Sequence, residues 1–445
     1  MSARIGIRTP WTREALPLAG RIALHRAPVS APHRGWLAQL GPGLITGASD
    51  DDPSGIATYS QAGAQFGTSM CWVMLFTWPL MAAIQEISAR IGRVTGQGIA
   101  ANIRAHYPPW LLRGIVALLL IANTLNLGAD LGAMGAAVQL LIGGPPHLYV
   151  VCFAVGCALL ETFSRYERYV RFMKWTAVSL LAYVATTLVV QVPWRQVVHD
   201  TFLPSFLPST DYVVTIVAVL GTTITPYCFF WQSSQEAEEE HIHHAAPLID
   251  APEQAPREIG RIRFDTYLGM GYSNLISLFI IITTAATLHA AGVTDIQTSS
   301  QAAEALRPIA GLFTFVIFAI GIIGIGLLAV PVLAGSAAYA LGEALGWPTG
   351  LERQPLDAKA FYAAIAISTL VGIFINFVDL DPVKALFWSA VLNGIVAVPL
   401  MAMIMIMAMQ RKVMGQFTLP WQLSALGWVC TAAMTIAVVI MFATL

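Results

Sequence analysis

The chain has 445 residues, of which 56% are hydrophobic and 11% are charged, and its formal net charge is −1. Soluble domains usually carry about 25% charged residues, so this composition excludes a soluble globular protein. We expect a protein that is embedded in a lipid bilayer and does not bind nucleic acid.

Apolar segments separated by polar breaks recur from Leu37 almost to Leu445. A helix that crosses a bilayer needs about 20 mostly apolar residues, so these segments predict eleven membrane spans. The predicted spans lie near residues 38–63, 70–92, 111–141, 148–163, 169–192, 211–236, 266–291, 309–342, 359–378, 384–409 and 420–444.

The positions of the basic residues predict the orientation of these spans. With a cytoplasmic N-terminus, only Arg195, Arg307 and Lys384 of the 24 Lys and Arg residues fall on the outer side. Cytoplasmic loops of multi-pass proteins are rich in Lys and Arg, so this asymmetry supports both the number and the orientation of the spans. Residues 1–35 contain six arginines and no secretory signal pattern, and they are predicted to form a basic cytoplasmic tail. We expect a multi-pass protein of the plasma membrane, which in a bacterium is the inner membrane.

Two spans are predicted to be broken near mid-membrane. The first contains Asp50-Asp51-Asp52-Pro53-Ser54-Gly55, and the sixth contains Gly221-Thr222-Thr223-Ile224-Thr225-Pro226-Tyr227. Proline removes a backbone donor, and irregular backbone at membrane depth occurs where it lines a protein cavity. Two broken helices five spans apart indicate an inverted repeat with a binding site at the midplane. The predicted fold is therefore an all-α, LeuT-type membrane protein with repeats at 36–192 and 211–409 and an additional helix at 420–444.

Three consecutive aspartates at membrane depth require compensation, because an ionised carboxylate there costs at least ~2.5 kcal/mol. Alternatively, the first span ends before Asp50 and leaves a solvated acidic turn. The next apolar run, from Ile56 to Ala64, is too short to cross a membrane alone, which argues against that alternative. Asp52 directly precedes the proline, where carbonyl groups released by unwinding can join it. This combination predicts an oxygen-rich cation site.

The residues around both breaks resemble the natural-resistance-associated macrophage protein (Nramp) family of divalent-metal transporters. In that family the first helix opens with Gly-Pro and carries Asp-Pro-Gly-Asn, and the sixth carries Gly-Ala-Thr-hydrophobic-Met-Pro-His. The corresponding segments here are GPGLITGASDDDPSGIATYSQAGAQFG, which begins at Gly41, and GTTITPYCFFWQSSQ, which begins at Gly221. The resemblance covers roughly Gly41 to Met409. It implies a secondary transporter without a cofactor, not an enzyme, whose substrate is a divalent metal ion.

The resemblance also implies a set of metal-binding residues. The family's aspartate, asparagine, carbonyl-donating alanine and methionine correspond to Asp52, Gly55, Thr222 and Thr225. The asparagine and the methionine are therefore replaced in this chain. Thioether sulfur favours transition metals, whereas hydroxyl, carbonyl and carboxylate oxygens suit Mg²⁺, Ca²⁺ and Mn²⁺. Mg²⁺ also tends to keep several waters, and the small residues Ser54, Gly55 and Thr225 would leave room for them.

The proton route implied by the resemblance is depleted. Two histidines of the family's sixth helix correspond to Tyr227 and Gln232, and the acidic motif of the third span is best matched by Leu125-Asn126-Leu127-Gly128-Ala129-Asp130. Only Asp130 is an acid in that motif. These departures resemble the Nramp-related magnesium transporter branch, and they imply uptake of Mg²⁺, and also Mn²⁺, with weak or no proton coupling.

Three further features have more than one interpretation. At most one of Asp50 and Asp51 is expected to reach the ion, and we favour Asp51 as a supporting residue. Asn393 falls near the midplane of the tenth span, where its amide could contact a hydrated ion or hold helices together. The Glu- and His-rich segment 236–244 could bind metal or form a solvated cytoplasmic loop.

Several functions compete with this interpretation. A proton-coupled Mn²⁺/Fe²⁺ symporter is the first alternative. A transporter of amino acids or other organic solutes could share the fold, but three aspartates would repel a substrate carboxylate. A membrane enzyme would need a motif such as HExxH or GxSxG, and the chain contains neither. The residues do not distinguish a channel, the direction of flux or the oligomeric state, although a monomer fits.

Overall fold

The structure is a computed structural model that describes residues 42–163, 181–207, 209–296, 298–307, 311, 314–378 and 381–445. The predicted N-terminal tail, 1–35, lies outside the described residues. The helices are, in chain order, α1 (Pro42–Asp50), α2 (Pro53–Phe66), α3 (Cys71–Thr95), α4 (Ile99–His106), α5 (Pro109–Ile142), α6 (Pro146–Phe163), α7 (Leu181–Val189), α8 (Trp194–Phe202), α9 (Thr210–Thr223), α10 (Pro226–Ile242), α11 (Ala255–Thr284), α12 (Ser299–Glu304), α13 (Thr314–Leu345), α14 (Lys359–Ile375), α15 (Pro382–Met409), α16 (Arg411–Met414) and α17 (Trp421–Thr444).

These helices correspond to the predicted spans. Within the described residues, eight helical stretches are long and apolar enough to cross a membrane, and α14 is a shorter apolar helix. Each of the eleven predicted spans contains at least one described helix. The fifth is represented by α7, because residues 164–180 lie outside the described part of the chain.

Both predicted breaks are present. The first helix ends at Asp50 and resumes at Pro53, and the sixth span ends its first half at Thr223 and resumes at Pro226. Each proline occupies the first turn of the resuming helix, where the missing N–H would have no intrahelical partner. The prolines therefore begin a new helix on the far side of each break.

The loop, one of the two interpretations of segment 236–244, does not match the structure, and the helix of the seventh span begins before the predicted span near 266. The helix α10 continues to Ile242, and α11 already begins at Ala255. The charged residues here lie on packed helices because they neutralise one another. Arg93 pairs with Glu240 at 2.9 Å, and Arg261 pairs with Glu236 at 2.5 Å. A prediction from hydropathy alone ends a helix where charged residues begin. Here the charged residues continue the helices, because they form ion pairs with residues on neighbouring helices.

Glycines bring the first half of each broken helix against a neighbour. The helix α1 packs on α11, and α9 packs on α15. A Cβ on Gly47 would overlap the backbone of Gly269, and a Cβ on Gly221 would overlap the backbone of Ala390 and Gly394. Only residues without a side chain allow these approaches, so both half-helices are held by backbone-to-backbone contact.

Candidate cation site at the helix breaks

Asp52 is the N-cap residue of α2 and is completely buried. Its Oδ1 accepts hydrogen bonds from the Ser54 hydroxyl at 2.6 Å and from the Gly55 amide at 2.7 Å. Its Oδ2 accepts from the Asn126 amide at 2.8 Å and lies 3.4 Å from the donating Tyr227 hydroxyl. An aspartate at an N-cap turns its carboxylate back toward the first backbone amides of the helix. Three helices therefore fix the orientation of this carboxylate at the break.

Asn126 on α5 connects Asp52 to two other predicted pathway residues. Its amide nitrogen lies 3.4 Å from Asp130 Oδ2, and its carbonyl oxygen accepts from Ser389 at 2.9 Å and from Asn393 at 3.3 Å. Asn126 was not among the site residues predicted from the sequence. Its spacing of four residues from Asp130 places both side chains on one face of a helix, and that signal could have identified it.

Gly55 and Thr222 come together between the two breaks. A Cβ on Gly55 would lie 3.2 Å from Thr222 Oγ1 and 3.4 Å from the backbone oxygen of Asp50. Thr222 is completely buried, and its hydroxyl has no hydrogen-bond partner among the residues that the structure describes. The absent side chain of Gly55 therefore leaves a small space bordered by hydroxyl and carbonyl oxygens, beside the Asp52 cap.

Thr225 lies against Asp50 and not against Asp52. The Thr225 hydroxyl donates to Asp50 Oδ1 at 2.8 Å, and Ser273 of α11 donates to Asp50 Oδ2 at 3.2 Å. Asp51 accepts from Ser277, also on α11, at 3.0 Å. The three consecutive aspartates thus have different partners. Asp52 is bonded to residues of α5 and α10, whereas Asp50 is bonded to Thr225 at the second break and to α11, and Asp51 is bonded to α11.

The two positions that replace the family's histidines have different surroundings. The Tyr227 hydroxyl donates to the Ser49 carbonyl at 2.7 Å and also approaches Asp52, so Tyr227 lies in the site. Gln232 lies further along α10. It accepts from Gln85 at 2.6 Å and donates to Thr266 at 3.0 Å, which makes a neutral hydrogen-bonded group without a direct bond to Asp52.

The buried acids have no cationic partner among the described residues. Asp50, Asp51, Asp52 and Asp130 are at most 1% exposed, and none of the ion pairs in the described part of the chain includes them. Their charge must therefore be balanced by bound cations or protons. No three His, Cys, Asp or Glu side chains of the described residues form a metal-binding group. A cation here would meet one or two carboxylates and several neutral oxygens, the surroundings that suit hard ions.

The Glu- and His-rich segment covers the last part of α10 and the two residues after it. Its buried acids Glu236 and Glu240 are engaged with Arg261 and Arg93. The histidine rings of His241 and His243 contact backbone carbonyls of their own helix at 2.6 and 2.8 Å. These partners account for both acids and both rings within helix packing and ion pairs.

Comparison with known proteins gives a family match and two kinds of relatives. The model of the family described as natural resistance-associated macrophage protein-like (Nramp) matches residues 43–444. The divalent metal cation transporter MntH of Acidiphilium cryptum is 26% identical over 417 residues, which cover 89% of each chain.

Solved structures share the fold. A variant of the Eremococcus coleocola manganese transporter superposes with a TM-score of 0.70 at 17% identity, covering 92% of this chain and 87% of that one. MhsT in complex with L-phenylalanine superposes with a TM-score of 0.62 at 11% identity, covering 93% and 100%. These likenesses confirm the predicted all-α, LeuT-type fold.

Proposed function

Because the chain belongs to the Nramp family, we propose that it is a secondary transporter that moves divalent metal cations across a membrane by alternating access. The observation that carries this proposal is the buried Asp52 carboxylate, held at a helix break among neutral oxygens and without a basic partner among the described residues. Relatives named as divalent metal cation and manganese transporters support the class of substrate. The metal ion is the substrate, and no cofactor or catalytic step is involved.

The proposed metal-binding residues come from both helix breaks. Asp52 supplies the charge, Thr222 supplies a hydroxyl oxygen that has no partner within the described residues, and Gly55 leaves the space between them. Thr225 acts next to this space through its hydrogen bond to Asp50. The surrounding residues that shape the site or the pathway are Asp51, Ser54, Tyr227, Gln232, Asp130 and Asn393.

We propose Mg²⁺ as the preferred ion, with Mn²⁺ also transported. The supporting observation is that a hydroxyl group at Thr225 stands where the resemblance places sulfur, and that the side chains bonded to Asp50 and Asp51 are hydroxyl groups. Hard ions gain from such a set, and Mg²⁺ can keep part of its water shell in a site with one or two carboxylates. The runner-up is a proton-coupled symporter of Mn²⁺ or Fe²⁺, favoured by the names of the relatives.

We propose that proton coupling is weak or absent. Neither Tyr227 nor Gln232 can change its charge near neutral pH as a histidine does. An inside-negative potential of 100 mV supplies about 2.3 kcal/mol per charge, so a divalent ion gains ~4.6 kcal/mol without a proton. Asp130 is linked to Asp52 through the side chain of Asn126, so Asp130 is the residue on which proton coupling would depend.

The cellular setting completes the proposal. The protein resides in the plasma membrane with a cytoplasmic N-terminus, and residues 36–192 and 211–409 form two five-helix repeats of inverted topology around the site. The helix at 420–444 lies outside the repeats. Each monomer contains a complete site.

Flux measurements in proteoliposomes test this function. The purified chain is reconstituted, the membrane potential is clamped, and uptake of Mg²⁺, Mn²⁺ and Ca²⁺ is followed together with internal pH. We expect Mg²⁺ and Mn²⁺ uptake without parallel acidification, and no difference in acidification between the wild type and Asp130→Asn. Acidification that follows metal uptake and disappears in Asp130→Asn would support the symporter. The absence of uptake for all three ions would contradict divalent-cation transport.

A further inference from the structure

Asp50 and Asp51 form a second group of oxygens on the α11 side of the first break. Ser273 and Ser277 are four residues apart on α11 and face the two carboxylates. Ser273 donates to Asp50 at 3.2 Å, and Ser277 donates to Asp51 at 3.0 Å. Both carboxylates therefore contact the same short stretch of α11, and Asp50 also accepts from Thr225 at the second break.

The hydroxyl donors in this group are too few for its acceptors. Thr225, Ser273 and Ser277 bring three hydroxyl hydrogens to the four oxygens of Asp50 and Asp51. Asp51 Oδ2 has no hydrogen-bond partner in the described part of the chain, although Asp51 is completely buried. A buried carboxylate oxygen without a donor is costly, so its position favours a bound positive ligand.

The charge at the breaks also exceeds what one transported ion can neutralise. Asp50, Asp51, Asp52 and Asp130 carry four formal negative charges when ionised, and no ion pair among the described residues includes them. A single divalent cation beside Asp52 balances two of those charges. A second divalent cation at Asp50 and Asp51 would balance the other two.

We propose that Asp50, Asp51, Ser273 and Ser277 form a second binding site for a divalent cation, adjacent to the transported ion at Asp52. The proposal rests on the proposed function, because it assumes that the Asp52 side holds the transported ion. All proposed metal ligands of the second site are oxygen atoms, so the site selects hard divalent cations such as Mg²⁺ and Mn²⁺. Two like charges bound close together repel each other, which keeps each ion from binding too tightly to be released.

Manganese binding to the full chain in lipid nanodiscs tests the proposal, because Mn²⁺ is a hard divalent ion visible by electron paramagnetic resonance. Equilibrium dialysis gives the number of ions per chain, and the resonance spectrum shows whether two ions are magnetically coupled. We expect two Mn²⁺ per wild-type chain with a coupled spectrum. Asp51→Asn should bind one Mn²⁺ and give an uncoupled spectrum. Ser277→Ala should keep both ions and weaken one of them about tenfold, the effect of losing one hydrogen bond to a charged group.

Two companion variants separate this proposal from the proposed function. Asp52→Asn should lose the other ion and keep the Asp51-dependent one. Glu304→Gln, in a partly exposed ion pair with Arg307, should bind two ions like the wild type. One Mn²⁺ per wild-type chain that persists in Asp51→Asn would overturn the second site and leave the transport site intact. An ion number unaffected by Asp52→Asn would instead contradict the assignment of the transported ion, and no Mn²⁺ binding to the wild type would overturn both.

Discussion

The two helix breaks have the same backbone construction, but the first is negatively charged and the second is neutral. Each has a proline in the first turn of the resuming helix and an N-cap residue in extended backbone, Asp52 in the first and Thr225 in the second. The first break carries three buried carboxylates. The second supplies the hydroxyl groups of Thr222, Thr225 and Tyr227.

Because of this difference, we expect the two breaks to contribute differently to the affinity and the selectivity of ion binding. Coulomb attraction in a medium of low polarity is strong and does not distinguish ions of equal charge. Neutral donors contribute less energy but discriminate by size and hardness. The first break should therefore determine whether a divalent ion binds at all, and the second should determine which ion is preferred. Substitutions at four positions test this division.

The largest effect is expected from the charge of the first break. Asp52→Ala removes a carboxylate that is held by donors from α2, α5 and α10. Truncating one partner of a buried charge pair costs about 2 kcal/mol or more, so uptake should fall at least ~30-fold. Initial rates of Mg²⁺ and Mn²⁺ uptake in proteoliposomes measure the effect. The control is Glu304→Gln, which removes a partly exposed acid and should keep normal uptake. Wild-type rates in Asp52→Ala would remove Asp52 from the transport site.

A large effect is also expected at the backbone contact that holds the second break. Gly221→Ala would place a Cβ against the backbone of Ala390 and Gly394, so α9 and α15 would have to separate. Overpacking of this kind typically costs about 1–3 kcal/mol, and thermal unfolding in detergent should occur at a lower temperature.

A matched glycine on α11 provides the control. Gly260 is exposed on its helix, and a Cβ added there would have no neighbouring atom within 4 Å. Gly260→Ala should therefore be neutral or raise stability by up to about 1 kcal/mol through helix propensity. Equal unfolding temperatures for the two variants would mean that the α9–α15 contact tolerates separation.

A smaller effect, on selectivity, is expected at Thr225. Thr225→Met introduces a soft thioether and removes the hydroxyl that donates to Asp50. The Mn²⁺ to Mg²⁺ uptake ratio should rise roughly tenfold, which corresponds to about 1.4 kcal/mol. Thr225→Val separates the two changes, because it removes the hydroxyl without adding sulfur and should weaken both ions alike. The same ratio in both variants would show that sulfur at this position does not reach the ion.

Much of the fold could be predicted from the sequence, because membrane insertion leaves a strong local signal. Long apolar segments gave the helices, and Pro53 and Pro226 gave both breaks within a residue or two. Charged helix ends were harder to place. The early start of α11 at Ala255 was not predicted because its Arg261 and Glu258 pair with Glu236 and Arg93 on other helices, and that pairing has no local signature.

The site could be predicted in part, and the rest depends on contacts between distant segments. The proximity of Gly55 and Thr222 agrees with the predicted grouping, which was based on matching motifs. The hydrogen bond between Thr225 and Asp50 could not be anticipated, since the direction of a side chain in irregular backbone follows no period. The partners Ser273 and Ser277 were missed for the same reason, because nothing near them in the chain distinguishes them from other serines in apolar helices.

The smallest effect is expected at Tyr227, a residue of the second break whose hydroxyl lies near the Asp52 carboxylate of the first break. Its hydroxyl donates to the Ser49 carbonyl at 2.7 Å and lies 3.4 Å from Asp52 Oδ2. Tyr227→Phe removes this hydroxyl and keeps the ring, while Asp52 Oδ2 still accepts from Asn126 at 2.8 Å. The loss of one neutral hydrogen bond costs about 1 kcal/mol, so the apparent affinity for Mg²⁺ should weaken about fivefold with little change in the Mn²⁺ to Mg²⁺ ratio.

A tyrosine far from the breaks makes the same kind of bond and serves as the control for this last variant. The Tyr149 hydroxyl donates to the Gly143 carbonyl, also at 2.7 Å, so Tyr149→Phe loses an equivalent bond at the end of α5. Uptake by Tyr149→Phe should match that of the wild type, because that bond touches neither break. If both variants transported Mg²⁺ with wild-type affinity, Tyr227 would be a packing residue. If Tyr227→Phe instead lost Mg²⁺ uptake more than Mn²⁺ uptake, the Tyr227 hydroxyl would be one of the groups that discriminate between ions. The residues of the second break that determine ion preference would then extend through the first turn of α10.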